Sequence, residues 1–553
     1  MDIQNLKKAV NDYNRKVAGG PPALVALRGL AVATVAVIGG LLGLIKAGME
    51  EWPGRHYTSL GAYSYSTPSS HPGAALMWLG GSILAGLLVF SIIKRLRDLD
   101  GKLINIDGGR EDESHQKGTK ILNVGGAGYR LPAPAGALRI AGVPLPSSVE
   151  QQHILLAGAP GSGKSEALKA LVATVRERGS DGAVIHDPTG EMVALFYNPE
   201  RGDMIINPLD ARHANWDLWA DMRPGEEANL AKAVIPSAQG DNKYFSDAAQ
   251  ALLEVLLQQT RTIDDLVKAG LGESAAELAE RLQNAGLGGL VGNVKTFGSV
   301  RGNLAPYLRS LALLPPISAG KEPISLEEFC EKPRGRFVFL LTKRRNKDAL
   351  RPIHQLFLTQ LVNTALSLRP DPSRRIWLFL DELPELLPSD AIATSLSQGR
   401  KFGLSVVEAL QAAGQMYERV GQHEAAALLS MPKSRLILRV GDGESAELMS
   451  KEIGDRQIKR KQESQNNSGS PGGQNFSVST STTWQTTTER AVLASEIMAL
   501  PDLTGYLRIE DTTMRVEMKY TPRTASQPDY EPVPPRPLPV AEKKSETEEA
   551  DNG

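Results

Sequence analysis

The stretch "HILLAGAPGSGKSEALKALVATVRERG" leaves few folds open to the chain. A strand-sized apolar run, His153–Ala157, enters a glycine-rich loop, and a helix leaves it. In that helix Leu168, Leu171, Val172 and Val175 recur at i, i+3, i+4 and i+7, with Lys169, Arg176 and Arg178 off the face and Gly179 at the stop. This is one buried helical face. The next run, "GAVIHD", is a second strand ending at Asp187. Strand, loop, helix and strand form a βαβ unit, the building block of a parallel sheet.

The loop Gly158, Ala159, Pro160, Gly161, Ser162, Gly163, Lys164, Ser165 fits G-x-x-x-x-G-K-[ST]. Its glycines let backbone N–H groups surround phosphates. Lys164 is placed for the β and γ oxygens of ATP, and the Ser165 hydroxyl for Mg2+. Such a loop needs a further carboxylate at the end of a buried strand. "IWLFLDE" supplies Asp381 for the metal shell and Glu382 to polarise the attacking water. Read alone, the same pair is a solvated turn after an ordinary strand. "SQGRKFGLSVVEALQ" puts Arg400 just before a strand and Gln411 at its end. Polar residues ending central strands sit beside the phosphates in doubly wound folds, so Gln411 is a candidate γ-phosphate sensor or water-positioning group. Arg400 starts its strand, on the far side of the sheet from its own nucleotide, where a neighbouring subunit's site is the closer target. An arginine in a surface salt bridge and a glutamine capping a helix account for the spacing equally well.

Several further units are expected, because 553 residues exceed one hydrophobic core. Residues 98–136 are polar and Gly-rich and read as a linker. Residues 137–222 carry the first α/β part. From 223 to 325 the pattern is helical, in "DAAQALLEVLLQQT" and "AAELAERLQNAGL" for example, which predicts an inserted all-α domain. Strand-sized runs return in 326–520: "RFVFLLT", "RRIWLFLDE", "LSVVEALQ" and "SRLILRV". The polar segment 461–489 reads as at least partly a mobile loop, its second half able to pair as a hairpin. Residues 521–553, Pro-rich and then acidic, read as a disordered tail.

Two apolar runs lie near the N-terminus, at about 24–47 and 72–93. Arg28 and Lys46 flank the uncharged core of the first, and Lys94, Arg95 and Arg97 close the second; each is long enough for a bilayer span. The alternative is a pair of buried core helices. Lys7, Lys8, Arg15 and Lys16 precede the first run, whereas Arg55 is the only strongly basic residue between the two, so both termini are expected on the cytoplasmic side. Two spans are few for a solute pathway and read as an anchor, residues 1–97. The 62 Lys+Arg against 63 Asp+Glu provide no global basic field, so nucleic acid would be held by local patches or a lined channel. A single cysteine, Cys330, and eight scattered histidines give little support to a disulfide scaffold or a metal-dependent nuclease.

With the P-loop, "VIHDPTGEMVALFYNPERGDMIINPLDARHANWDLW", "LFLDELPEL", "GRKFGLSVVEALQ" and "ERAVLASEIMALPDLTGYLRI" in order, the chain resembles the coupling proteins of type IV secretion and bacterial conjugation, of the TraD/TrwB kind. The resemblance implies an α/β RecA-like P-loop NTPase domain, the all-α insertion, and an N-terminal two-helix transmembrane anchor. It implies a homohexameric, DNA-dependent ATPase at the bacterial inner membrane that passes relaxase and relaxosome substrates, with single- and double-stranded DNA, to the secretion channel. By position Lys164 and Ser165 match the Walker A residues, Asp381 and Glu382 the Walker B pair, Gln411 the motif III glutamine and Arg400 the arginine finger. Asp187, Glu191, Asn207, Asp210 and Trp216 match a family block without an assigned role. Thr189-Gly190 stands where relatives often carry Lys-Gly. The rivals are an FtsK-like chromosome translocase, which usually brings more spans and a C-terminal winged helix, and a docking receptor whose ATPase gates assembly.

Overall fold

The computed structural model describes residues 113–124, 131–238, 240–290, 294–320, 322–468 and 477–534. The two apolar runs expected to form an anchor lie outside the described residues. Among those described, no helix is long and apolar enough to cross a membrane.

One ten-stranded sheet organises the chain. Its strands are β1 (Ile121–Asn123), β2 (Ile154–Ala157), β3 (Gly182–Asp187), β4 (Met204–Ile205) and β5 (Phe337–Leu341). They continue with β6 (Ile376–Leu380), β7 (Leu404–Leu410), β8 (Ser434–Leu438), β9 (Thr504–Ile509) and β10 (Thr512–Glu517). The spatial order is β1-β10-β9-β8-β2-β7-β6-β3-β5-β4. From β8 to β4 all neighbours are parallel, and the β9–β10 hairpin joins β8 antiparallel.

Every residue of β2, β3, β5, β6, β7 and β8 is buried, which is why these segments read as continuous apolar runs and not as alternations. On one face Leu168, Leu171, Val172 and Val175 of the helix Lys164–Arg178 pack with Leu156, Phe339, Trp377 and Phe379. On the other, Leu155, Leu378 and Leu380 meet Ile353 and Phe357 of the helix Lys347–Ser367, and the same buried cluster continues to Leu230, Leu252 and Leu304. The helical segment between β4 and β5 therefore shares its core with the sheet face. Trp216 stands at this junction: its ring lies edge-on to Phe357 at 5.2 Å, and its Nε1 donates to Gln360 Oε1 at 3.2 Å.

Three sequence expectations need correction. The linker 98–136 contains two strands: Glu113–Gly118 pairs with the arm Asp455–Ser468, and β1 adds to β10. The polar segment, expected as at least partly a loop with a hairpin in its second half, pairs Asp455–Ser468 against Ser477–Arg490, so its first half is the partner of its second. The tail is ordered as far as residue 534. Ser526 and Gln527 donate to Ala194 O, Ala211 N–H donates to Glu531 O, and Val533 N–H to Leu209 O. Tyr530 Oη donates to Leu209 O at 2.7 Å. Prolines remove donors, but a strap bonded on one edge needs only some of its N–H groups. Residues 535–553 lie outside the described residues.

Candidate nucleotide site

The strand order decides which side chains meet. β7 lies between β2 and β6, with Leu410 level with Ala157 and Glu408 level with Leu380. The P-loop, the Asp381-Glu382 pair and Gln411 thus leave the sheet side by side at its carboxyl end. A loop after a parallel strand is the place where an open α/β sheet holds its ligand.

The P-loop is pinned by its neighbours. Gly158 N–H donates to Leu410 O at 3.0 Å, Ala159 N–H to Arg439 O at 2.8 Å, and Leu503 N–H to Ser162 O at 2.8 Å. A Cβ on Gly158 would stand 2.5 Å from Ser162 Oγ. Gly163, at φ 111°, would put one 2.7 Å from Leu503. Both glycines are demanded by close approach, and the second by backbone sign as well. Ser162 Oγ is buried without a hydrogen-bond partner among the described residues. Ser165 follows Lys164 in the first turn of the helix Lys164–Arg178.

Lys164 is buried, and its Nζ lies 3.3 Å from Glu382 Oε2 and 4.0 Å from Asp381 Oδ1. Gln411 Nε2 donates to the same Glu382 oxygen, so two of the sequence candidates converge on the carboxylate of a third. The other oxygen, Oε1, is buried and has no partner among the described residues. Glu382 is held at φ 73°, a left-handed conformation that costs a residue with a side chain about 1–3 kcal/mol and clusters at functional sites. Burial pushes the Asp381 carboxyl up to about 6, with Lys164 acting in the opposite direction. His186 Nδ1 lies 2.9 Å from the Asp381 backbone oxygen, and burial drives its imidazole below the ordinary range.

The family-block residues have structural tasks. Asp187 accepts N–H groups from Thr189, Gly190 and Val193, fixing the turn after β3; burial raises its carboxyl and those donors counter it. Glu191 bridges to Lys169 at 2.5 Å on the P-loop helix. Asn207 Oδ1 accepts from Leu209 N–H. Asp210 binds Arg212 through two nitrogens and accepts from Glu531 N–H of the strap. Lys343 was not foreseen: it follows β5, donates to Thr189 O at 2.6 Å and bridges Asp529 at 2.5 Å. A lysine therefore does stand at the Thr189-Gly190 turn, contributed from another strand.

Arg400 is not part of this cluster. It lies exposed in the turn Gly399–Phe402 that precedes β7, beside a cavity of about 430 Å³ that it lines with Gln151, Ser397 and Lys401. Seven residues of β7 separate that turn from Gln411, roughly 20 Å at about 3.3 Å per residue. Nearby, buried His153 accepts Val406 N–H at 3.1 Å and is driven down to about 4 by burial, with the Arg400 charge adding to the effect.

Residues 137–519 match the type IV secretion-system coupling protein DNA-binding domain family. The coupling protein TraD of Escherichia coli (strain K12) is 28% identical over 409 residues, covering 71% of this chain and 56% of TraD. The chain thus spans little more than half the length of that relative. The plasmid coupling protein TrwB in complex with the ATP analogue ADPNP superposes with a TM-score of 0.66 at 26% identity, covering 77% of this chain and 99% of that one. TrwB with ADP and Mg2+ gives 0.65 at 27% identity, covering 77% and 98%.

Proposed function

The chain belongs to the type IV secretion-system coupling proteins, and from that premise we propose that it is an ATP-driven DNA translocase. The observation that carries the reading is the convergence of Lys164 and Gln411 on the half-buried Glu382 carboxylate, with Asp381 also facing the Lys164 amine, beside an intact P-loop. The donor set suits a triphosphate with Mg2+, the ligands that the TrwB structures hold as ADPNP and as ADP with Mg2+. Gly158 to Gly163 would cradle the phosphates, Lys164 would neutralise the β and γ oxygens, and Ser165 and Asp381 would hold the metal. Mg2+ contributes charge neutralisation at the transferring phosphoryl group.

Glu382 is the base: its free Oε1 is the acceptor for a water proton. Gln411 fixes the other oxygen and orients the carboxylate. Lys164 shares that carboxylate, and phosphate would draw its amine away from Glu382. Arg400 completes the site of the next subunit, since its own lies a strand length away. This supports a ring, which we take to be a homohexamer, held to the inner membrane by the runs at about 24–47 and 72–93 with both termini cytoplasmic. The pumped object is DNA with its attached relaxase, delivered to the secretion channel.

The test is ATP turnover by the full-length protein with and without single-stranded DNA. A pump is stimulated. A docking receptor whose ATPase only gates assembly hydrolyses at one rate in both conditions, and that result would replace this reading.

A further inference from the structure

We propose that the three-stranded sheet built on Glu113–Gly118, Asp455–Ser468 and Ser477–Arg490 is a binding platform for single-stranded nucleic acid, with Trp484 as its stacking surface. This rests on the translocase reading and names a contact surface for its substrate.

The two faces of this sheet differ in kind. Strand alternation puts Ile458, Arg456, Arg460 and Glu489 on one side. Ile458 is buried there, and Glu489 is held by Arg456 at 2.8 Å and Arg460 at 3.5 Å. The charges of that face are paired within the sheet. The opposite alternation carries Lys117, Lys459, Thr486 and Trp484, all exposed. Trp484 is 49% exposed, and Lys459 Nζ lies 6.0 Å from its ring. The register sets Lys461 opposite Trp484. The acidic residues of the same alternation are Asp455, bridged to Arg490 at 2.7 Å, and Glu463, one alternation beyond Lys461.

The indole is exposed on a regular strand, and its described neighbours Thr482, Thr483, Gln485 and Thr486 form no apolar patch around it. A lipid surface would call for such a patch to insert beside the tryptophan. A base needs only one π-face with cations beside it, while threonine hydroxyls and a glutamine amide suit phosphate and base edges. The arms also reach well beyond Glu113–Gly118, which pairs only with Arg456–Arg460. The outer part is a two-stranded ribbon, an element that is marginal until something packs on it.

The experiment measures affinity of the full-length protein for fluorescent oligothymidylate in the presence of a non-hydrolysable ATP analogue. Trp484→Ala should weaken binding about fivefold or more, and Trp484→Phe should restore most of it, since the phenyl ring still stacks. Lys459→Gln should weaken binding and flatten its salt dependence. Basal hydrolysis without DNA should be unchanged in all three. Equal affinities for wild type and Trp484→Ala would overturn the platform. So would a Trp484→Ala protein that binds DNA normally but loses affinity for phosphatidylglycerol vesicles, or one that fails to form rings on sedimentation. Wild-type protein that binds no oligothymidylate would sink the translocase reading itself; binding that survives Trp484→Ala sinks only the platform.

Discussion

The two ends of β7 are built on opposite principles. At its carboxyl end half-buried Gln411 and Glu382 and buried Lys164 are in mutual contact, each restraining another. At its amino end Arg400 is exposed on a short turn. Burial and hydrogen bonds preorganise groups that must meet the phosphate from the same chain. A group that serves another chain has to stay solvated until the partner arrives. On the proposed reading the difference teaches that one subunit would hold a nearly complete site and still lack a cation that it owns.

The largest effect should come from Lys164→Ala, which removes the charge facing the phosphates and should abolish hydrolysis; normal turnover would show that the buried cluster is not the site. Glu382→Gln should keep nucleotide binding and lose turnover, measured as ADP release at saturating ATP. Arg400→Ala sharpens the contrast between the two ends. It should bind ATP normally and hydrolyse it about 10³–10⁵-fold more slowly, the range for arginine fingers. Rings mixed from Arg400→Ala and Lys164→Ala subunits should regain part of the rate, because an intact arginine then faces an intact P-loop. No recovery in rings shown to be mixed would place the arginine's action within its own chain.

A smaller effect concerns the strap. Ending the chain before Thr521 removes the partners of Asp210, Lys343 and Leu209. Each lost hydrogen bond is worth about 0.5–1.5 kcal/mol, so a fall in Tm of several degrees is expected. Ending it after Pro534 should leave Tm unchanged and weaken only a salt-sensitive association with a basic partner, because the acidic residues Glu542 to Asp551 are gone. The smallest effect lies midway along β7. Glu408 is fully buried, neither carboxylate oxygen has a hydrogen-bond partner among the described residues, and burial raises its carboxyl to about 8 against the pull of Arg435. Between its ordinary range and pH 8 the folded chain therefore holds a proton that the unfolded chain releases, so stability falls as pH rises through that window. Glu408→Gln should lose less Tm between pH 6 and pH 9 than wild type.

The nucleotide cluster was legible because each of its parts has a local signal: glycine spacing for the P-loop, a carboxylate pair ending an apolar run, a glutamine ending the next. Their adjacency followed from the doubly wound order. The strap and the strand Glu113–Gly118 were not legible, and the hairpin only in part, because their signals are distributed. Gly118 finds Arg456, and Asp210 finds Pro532, across hundreds of residues. Composition even pointed the wrong way there: prolines and polar residues suggest disorder when read alone, and become strand partners only where an edge awaits them. Lys343 escaped notice for a related reason, since nothing in "RFVFLLTKRR" tells which turn its amine will reach.

The sheet's outermost strands are its shortest, three residues in β1 and two in β4. Such stubs offer a strand from another molecule little to pair with, so this sheet is protected from edge-to-edge zippering between copies. In the proposed ring, subunits would then be joined at this sheet by side chains and loops and not by a continuous hydrogen-bonded belt. Joints of that kind can loosen and reclose individually, which would allow subunits of such a ring to fire in turn without tearing the sheet that carries their chemistry.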